Sequence, residues 1–281
     1  ESISMKKLVI YLCLAALFAC GNDVEKKATE KLEEARAAFQ KGDYSATKLL
    51  VDSIKILYPK AYEVRREGLK LIQQAELKEQ ERSMVYLDSM LLVKQKEFET
   101  IKPRFTFEKD AEYQAIGNYL WPTQVVEKNL HRSYLRFQVN EKGVLVMTSV
   151  YCGKNNIHHN AVKVIAADKS FAETPPSRDS YETTNLGEKI EMADYKQGED
   201  GSVMDFIYLN KDQTLRVEYK GERSYAFALS AADRKALVET YELSKTLSSI
   251  EQIKKEIEEA KLKIEFVTRK MQHTAEKEKA Q

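Results

Sequence analysis

A heptad pattern of apolar residues near the C-terminus constrains the fold of this chain more than any other feature. Apolar side chains recur every seven residues, and a second set follows three residues after the middle members of the first. The two sets are Leu243, Ile250, Ile257, Ile264 and Met271, and Ile253, Ala260 and Val267. Such spacing over about four heptads is typical of a helix that packs along another helix. The sequence therefore predicts one long helix after the N-cap residue Ser230, with Asp233 completing a capping box.

The chain before this helix divides into two zones of different composition. Residues 20–102 are rich in Lys, Glu, Ala and Leu, whereas residues 103–229 are richer in Tyr, Phe, Val, Thr, Gly and Pro. Pro103 marks the boundary, because proline disfavours helix at the residue before it. We predict a helical region over 20–102, an antiparallel β domain over 103–229 and the long C-terminal helix over 230–281.

The helical region is predicted to begin with a hairpin and to continue as a long helix. The predicted helices cover 24–40, 45–57 and 61–101. The spacing from Gly42 to Pro59 resembles one tetratricopeptide-type repeat, although Thr47 stands where that pattern has Ala. Because about three repeats are needed to bury a continuous core, we expect an ordinary helical hairpin instead of a peptide-binding groove.

The two long helices flank the β domain in the sequence, and they need a partner for their apolar stripes. The simplest arrangement pairs them with each other, as an antiparallel coiled-coil stalk within one chain. The alternative is a parallel homodimer through the C-terminal heptads. We favour the intramolecular pair.

The β domain is predicted from alternating apolar residues and regularly spaced turns. Strands are expected over 133–140, 144–151, 161–167, 187–195, 203–209, 214–219 and 224–229. Residues 174–184, which include Pro175 and Pro176, are expected to form a polar loop. The predicted fold class is α+β, with an antiparallel β-sandwich or open barrel between the helical segments.

The N-terminus has the layout of a secretory signal peptide over 1–19. Lys6 and Lys7 follow Met5, the expected start, and precede an apolar run over 8–19. A spanning helix needs roughly 20 apolar residues, so this shorter run indicates export and cleavage instead of a membrane span.

The residues at the end of that run are Leu17, Phe18, Ala19 and Cys20. They resemble the lipobox of bacterial lipoproteins, although the family prefers a smaller side chain than Phe18. The resemblance implies that Cys20 becomes the acylated first residue, that a lipid bilayer is its partner, and that the outer membrane is its location, because Gly21 is not the aspartate of inner-membrane retention. The alternative is a cleaved soluble secretory protein.

Charge and cysteine content limit the remaining classes. The chain has 45 Lys and Arg against 44 Asp and Glu, so no electrostatic attraction to nucleic acid is expected. Cys13 would leave with the signal peptide and Cys20 would carry lipid, which leaves Cys152 without a partner for an intramolecular disulfide.

The best candidates for chemistry are Cys152, His158 and His159, since thiolate and imidazole bind zinc and a Cys–His pair makes a nucleophile. Adjacent histidines in an extended segment point to opposite faces, and no fourth ligand or orienting acid is evident. The sequence also contains no Gly-x-Ser-x-Gly and no His-Glu-x-x-His. We therefore expect no enzyme, metal or cofactor, with Cys152 as a small apolar residue and the histidines in a polar loop.

A second candidate is an aromatic platform made by Trp121, Tyr119 and Tyr113. Such rings stack on sugars, although Trp and Tyr serve equally well as core residues. The expected function is a membrane-anchored envelope lipoprotein with a non-enzymatic binding or assembly role, whose partner is an envelope protein. The alternative is a glycan- or small-ligand-binding module that uses these aromatic residues.

Overall fold

The computed structural model describes residues 23–110 and 112–279. The predicted signal peptide and the lipobox residues Leu17, Phe18, Ala19 and Cys20 lie outside them. The chain forms two units: one holds the residues up to Ser89 and those from Lys255 onward, and the other is Met90–Lys254. We call them the helical unit and the β unit and describe each separately. Among the described residues, no helix is both long and apolar enough to span a bilayer.

The helical unit begins with a hairpin, as predicted. Helix α1 covers 23–40, α2 is Tyr44–Leu57, and α3, Tyr62–Ile101, begins in this unit. Gly42 has a φ of +75° between the first two helices, and the Asp43 carboxylate caps α2 by accepting the Ala46 N–H at 2.9 Å. One apolar cluster joins the helices and contains Ala28, Leu32, Ala35, Val51, Ile54, Ala61, Val64 and Leu71.

The helices approach each other closely at Gly68 of α3. A Cβ at this position would lie 2.7 Å from a methyl carbon of Val51 on α2. A side chain at this position would have to displace that methyl group, so the small residue in the helical pattern has a packing reason.

The β unit contains two antiparallel sheets. The first has the order β1-β2-β3-β4-β8-β7 and the second has the order β10-β9-β5-β6. The strands are β1 (Thr106–Glu108), β2 (Asn118–Leu120), β3 (Tyr134–Asn140), β4 (Leu145–Gly153), β5 (Ala161–Ala166), β6 (Phe171–Glu173), β7 (Ser180–Asn185), β8 (Glu188–Lys196), β9 (Leu215–Lys220) and β10 (Tyr225–Ala228). Helix α4 is Val203–Leu209, and short 3-10 turns cover Lys102–Arg104 and Val126–Lys128.

Alternating residues of both sheets belong to one apolar core. Phe137 of β3 lies opposite Met147 of β4 in register, and both are buried with Val164 of β5 and Val217 of β9 in the same cluster. The α+β class and the antiparallel sheets are therefore confirmed. The arrangement as a sandwich or open barrel stays a prediction.

Two predictions for the β unit were wrong. Residues 203–209 form α4 and not a strand; Val203, Met204 and Ile207 are buried, a spacing that fits one face of a helix. The Asp200 carboxylate accepts the Met204 N–H at 2.7 Å at the start of this helix. The predicted polar loop over 174–184 includes most of β7, which pairs with β8. Because β7 is almost wholly exposed, it has no apolar alternation by which it could be recognised.

Helix α5, Ala231–Lys279, begins where the capping box predicts. The Asp233 N–H donates to Ser230 Oγ at 3.0 Å, and the Ser230 hydroxyl donates back to the Asp233 carboxylate at 2.6 Å. Most of the predicted heptad residues are buried: Leu243, Ile250, Ile257, Ala260 and Val267.

Within the β unit, parts of α3 and α5 run in opposite directions. The Thr246 hydroxyl donates to Glu97 at 2.7 Å, and the residues that follow α3 reach an earlier part of α5, since Arg104 pairs with Glu239 at 2.8 Å. Pairing along the full helices as a coiled-coil stalk stays a prediction.

Candidate functional site

The end of β4 and the loop between β4 and β5 position the predicted thiol and imidazole groups. Cys152 is half-buried near the end of β4, His158 is exposed, and His159 is 3% exposed. His158 has a φ of +51°, a left-handed conformation that is uncommon for a residue with a side chain. The two histidines thus differ in exposure, as expected of neighbours on opposite faces. Both histidines lie in the predicted loop, but the ring of His159 turns inward and is buried.

The surroundings of the Cys152 thiol disfavour its thiolate form. Burial raises its pKa, and the neighbouring Glu188 carboxylate raises it further. A nucleophilic cysteine needs the opposite environment, with a cation or a helix N-terminus that stabilises the thiolate. This arrangement supports the interpretation of Cys152 as a small residue of the sheet.

The acid near His159 is Glu191, a buried residue of β8 that is 1% exposed. Its carboxylate accepts the backbone N–H groups of Ile157, His158 and His159 at 2.7, 3.0 and 2.9 Å. Burial alone would raise the pKa of Glu191, but the hydrogen bonds from the His159 N–H and ring and from the other two N–H groups lower it from 4.5 to about 2. Glu191 is therefore ionised in the folded protein at neutral pH.

His159 connects this carboxylate to a serine. Its Nδ1 lies 2.9 Å from Glu191 Oε2, its Nε2 lies 2.8 Å from Ser149 Oγ, and its ring stacks on Tyr219 with centroids 4.7 Å apart. The order of groups is that of a serine-hydrolase triad. Ser149 is 0% exposed, however, so its Oγ does not face solvent.

Ser149 and Glu191 were not among the candidate residues predicted from the sequence, although the sequence contains a signal for both. Ser149 lies between Thr148 and Val150 on a predicted strand, and Glu191 follows Ile190 on another. A polar residue at an inward position of an alternating strand requires a buried partner. The histidines are possible partners for Ser149 and Glu191 under that requirement. The sequence does not show which of the two histidines turns inward.

The metal donors that the structure brings together are different from the predicted set. Ligand atoms of His158, Glu182 and Glu191 lie within 4.8 Å of one another, and the register pairs Glu182 directly with Glu191. The hydrogen bond to Glu182 raises the pKa of His158. Because the Glu191 oxygens already accept backbone N–H groups, only His158 and Glu182 have donor atoms available at the surface.

The predicted aromatic platform is divided among different environments. Trp121 is half-buried; its ring lies 5.3 Å from the Phe105 ring, and the Arg104 guanidinium and Lys235 ammonium lie 5.2 and 5.7 Å from its centroid. Tyr113 is 78% exposed. Among the described residues, no ring contact joins Tyr113, Tyr119 and Trp121 to one another.

Tyr119 lines an open cleft of about 610 Å³ in the β unit, which we call the Tyr119 cleft. Its apolar lining also includes Phe98, whose ring centroid lies 5.8 Å from that of Tyr119. The charged lining has the carboxylates Glu99, Glu141 and Glu251 together with two lysines. Burial raises the pKa of the Tyr119 hydroxyl, and Glu141 and Glu99 raise it further. The hydroxyl thus stays protonated as a hydrogen-bond donor.

Comparison with families of proteins, with curated proteins and with solved structures finds no match to this chain. Its function is therefore inferred from the residues and from the geometry of the two units. Two features support that inference: the lipobox-like sequence that ends at Cys20 and the Tyr119 cleft.

Proposed function

We propose that this chain is a lipid-anchored envelope protein with a non-enzymatic binding or assembly role. The observation that carries the proposal is the sequence from Leu17 to Cys20 behind a short apolar run and two lysines. Acylation of Cys20 with two or more chains holds a protein stably on a bilayer, since each buried CH₂ contributes about 0.8 kcal/mol. By analogy with other lipoproteins, the bilayer is the outer membrane.

The non-enzymatic role is supported by the state of the groups that resemble catalytic machinery. Ser149 and His159 are buried among the sheets, and the pKa of the Cys152 thiol is raised instead of lowered. Glu191 is committed to loop N–H groups. In this arrangement the Ser149–His159–Glu191 network stabilises the loop after β4.

The Tyr119 cleft is the part of the β unit that suits a ligand. Pockets for small molecules are mostly apolar with a few well-placed polar groups, and this cleft combines Phe98 and Tyr119 with three carboxylates. The same observation favours the second candidate function, glycan binding, because aromatic rings pack on sugars while carboxylates accept their hydroxyl hydrogens.

Metabolic labelling with palmitate tests the anchor. We expect label on the wild-type protein and on Cys152→Ser, the matched control, and none on Cys20→Ser. In cell fractionation, the Cys20→Ser variant should be lost from the outer-membrane fraction that contains the wild-type protein. Absence of label from the wild-type protein, or its retention in Cys20→Ser, would contradict the proposal.

The glycan alternative is tested by titrating the full chain with N-acetylglucosamine oligomers and measuring the heat of binding. Glu251→Gln, in the cleft, is expected to weaken binding, whereas Glu258→Gln, an exposed glutamate elsewhere on α5, is not. Equal melting temperatures show that both variants are folded. A titration with no saturable signal for the wild-type chain removes this candidate.

A further inference from the structure

The helical unit has an end that lies next to the proposed anchor. Helix α1 covers 23–40, only three residues after Cys20, so the connecting backbone spans at most about 10 Å. The chain reverses at Gly42, where the N–H of Gly42 donates to the Phe39 carbonyl at 2.9 Å. Helix α2 therefore returns toward the start of α1, and Tyr58, just after α2, packs against the apolar cluster that contains Ala28 and Leu32 of α1.

This end of the helical unit exposes large apolar side chains, which are unfavourable at a bend that faces only water. Ile56 is 77% exposed, Leu57 is 60% exposed and Tyr62 is 70% exposed. They lie at the end of α2 and the beginning of α3. Two aliphatic side chains beside a tyrosine have the composition of residues at a membrane interface, where tyrosine places its ring among the headgroups.

The same bend is cationic. Residues 55–66 contain Lys55, Lys60, Arg65 and Arg66 against the single acid Glu63, a net charge of +3. An open cleft of about 510 Å³ is lined by Lys55, Tyr62, Arg65 and Arg66, together with apolar residues and Asp52. The bend thus joins apolar exposure to a charge that is complementary to anionic headgroups.

We propose that residues 55–66, which we call the α2–α3 bend, contact the surface of the bilayer that holds Cys20 and bind its anionic headgroups. The inference rests on the lipid anchor of the proposed function. We assign the α2–α3 bend to a lipid surface and not to a second copy of the chain for two reasons. The short connection to Cys20 brings the start of α1 to the bilayer. A bend of net positive charge repels the same bend of a second copy.

Fluorescence quenching by nitroxide-labelled lipids tests this contact. A fluorophore is attached at Leu57→Cys, or at Tyr86→Cys as the matched control, in the acylated Cys152→Ser protein reconstituted into vesicles of phosphatidylglycerol and phosphatidylethanolamine. Tyr86 is 64% exposed and lies on α3 about 36 Å along the helix from Tyr62. We expect several-fold stronger quenching at position 57 than at 86, and weaker quenching at 57 when phosphatidylcholine replaces phosphatidylglycerol.

The intact mass of the same preparation separates failure of the contact from failure of the anchor. If the acyl chains are present and position 57 is quenched no more than position 86, the contact is wrong and the anchor stands. A blue-shifted emission at 57 that depends on protein concentration and not on nitroxide lipid indicates pairing between copies and also overturns the contact. If the acyl chains are absent, the anchor is wrong. Selective quenching at position 57 by added vesicles then still supports the membrane contact of the bend, and equal quenching at positions 57 and 86 contradicts it.

Discussion

Replacing Glu191 with glutamine tests whether one buried carboxylate stabilises the loop after β4. The native carboxylate accepts the N–H groups of Ile157, His158 and His159 and contacts the His159 ring. A glutamine presents an NH₂ group where one of the two acceptor oxygens stood, so at least one donor loses its partner. An unsatisfied buried donor costs about 1–3 kcal/mol.

The pKa of Glu191 gives an independent magnitude. It falls from 4.5 to about 2 on folding, and each pH unit of difference between the unfolded and native pKa values is worth about 1.36 kcal/mol. The ionised carboxylate thus contributes about 3 kcal/mol to the free energy of unfolding at neutral pH. Because the native pKa is the lower one, this contribution is present above pH 4.5 and is lost as the pH falls toward about 2.

The assay is urea denaturation followed by the fluorescence of Trp121, the single tryptophan, which lies in the β unit. Glu191→Gln should lower the free energy of unfolding by about 3 kcal/mol at pH 7, and the difference from wild type should shrink below about 1 kcal/mol near pH 2. Glu182→Gln, at the exposed opposing position, should change it by less than about 0.5 kcal/mol. A difference for Glu191→Gln that is small at pH 7, or that persists in acid, would refute the reasoning.

Two further substitutions test how segments are attached within the β unit. Gly143 and Gly187 have φ values of +82° and +84°, but only at Gly143 would a Cβ overlap backbone, that of Ser248. In urea denaturation, Gly187→Ala should lower the free energy of unfolding by about 1 kcal/mol, and Gly143→Ala should lower it clearly more. Equal losses for the two variants would contradict the close contact between Gly143 and the Ser248 backbone. Asp233→Asn should lower the free energy of unfolding by about 3 kcal/mol, because Asp233 is 1% exposed and pairs with an arginine, whereas the exposed Asp212→Asn should not. A small change in melting temperature for Asp233→Asn would show that the pair is not needed.

Helices α1, α2, α3 and α5 could be predicted from the sequence because their signals are local. Asp43 and Ser230 cap α2 and α5 as side-chain acceptors, and the heptads place Leu243 and Ile257 in buried positions. Such signals depend on a few neighbouring residues, and tertiary packing only reinforced them here.

The strands could be predicted only where one face is buried. The alternation in β3 and β9 follows from burial on one face, whereas the exposed edge strand β7 has none. Helix α4 was mistaken for a strand because a run of seven mainly apolar residues fits either structure, and only its packing position decides.

The candidate site was predicted less well, because its residues come together only through tertiary structure. Cys152, His158 and His159 are close in sequence, and this closeness suggested one site. The fold gives the three residues different surroundings, and the partners of His159 are Ser149 and Glu191 on two adjacent strands. Sequence spacing alone could not identify those partners.

Buried carboxylates have the same structural role at two places in the β unit. The Glu191 carboxylate accepts hydrogen bonds from N–H groups of the loop after β4. Among the described residues, these N–H groups have no backbone partner on a neighbouring strand. The Asp233 carboxylate accepts hydrogen bonds from the Arg132 guanidinium at 2.6 Å and from the Gln124 side-chain amide at 2.8 Å. These bonds attach the start of α5 to the segment before β3. A buried charge is costly unless its hydrogen bonds are complete. Because each carboxylate satisfies several donors at once, each fixes an irregular segment in one position, and this role accounts for the burial of Glu191 beside His159 and Ser149.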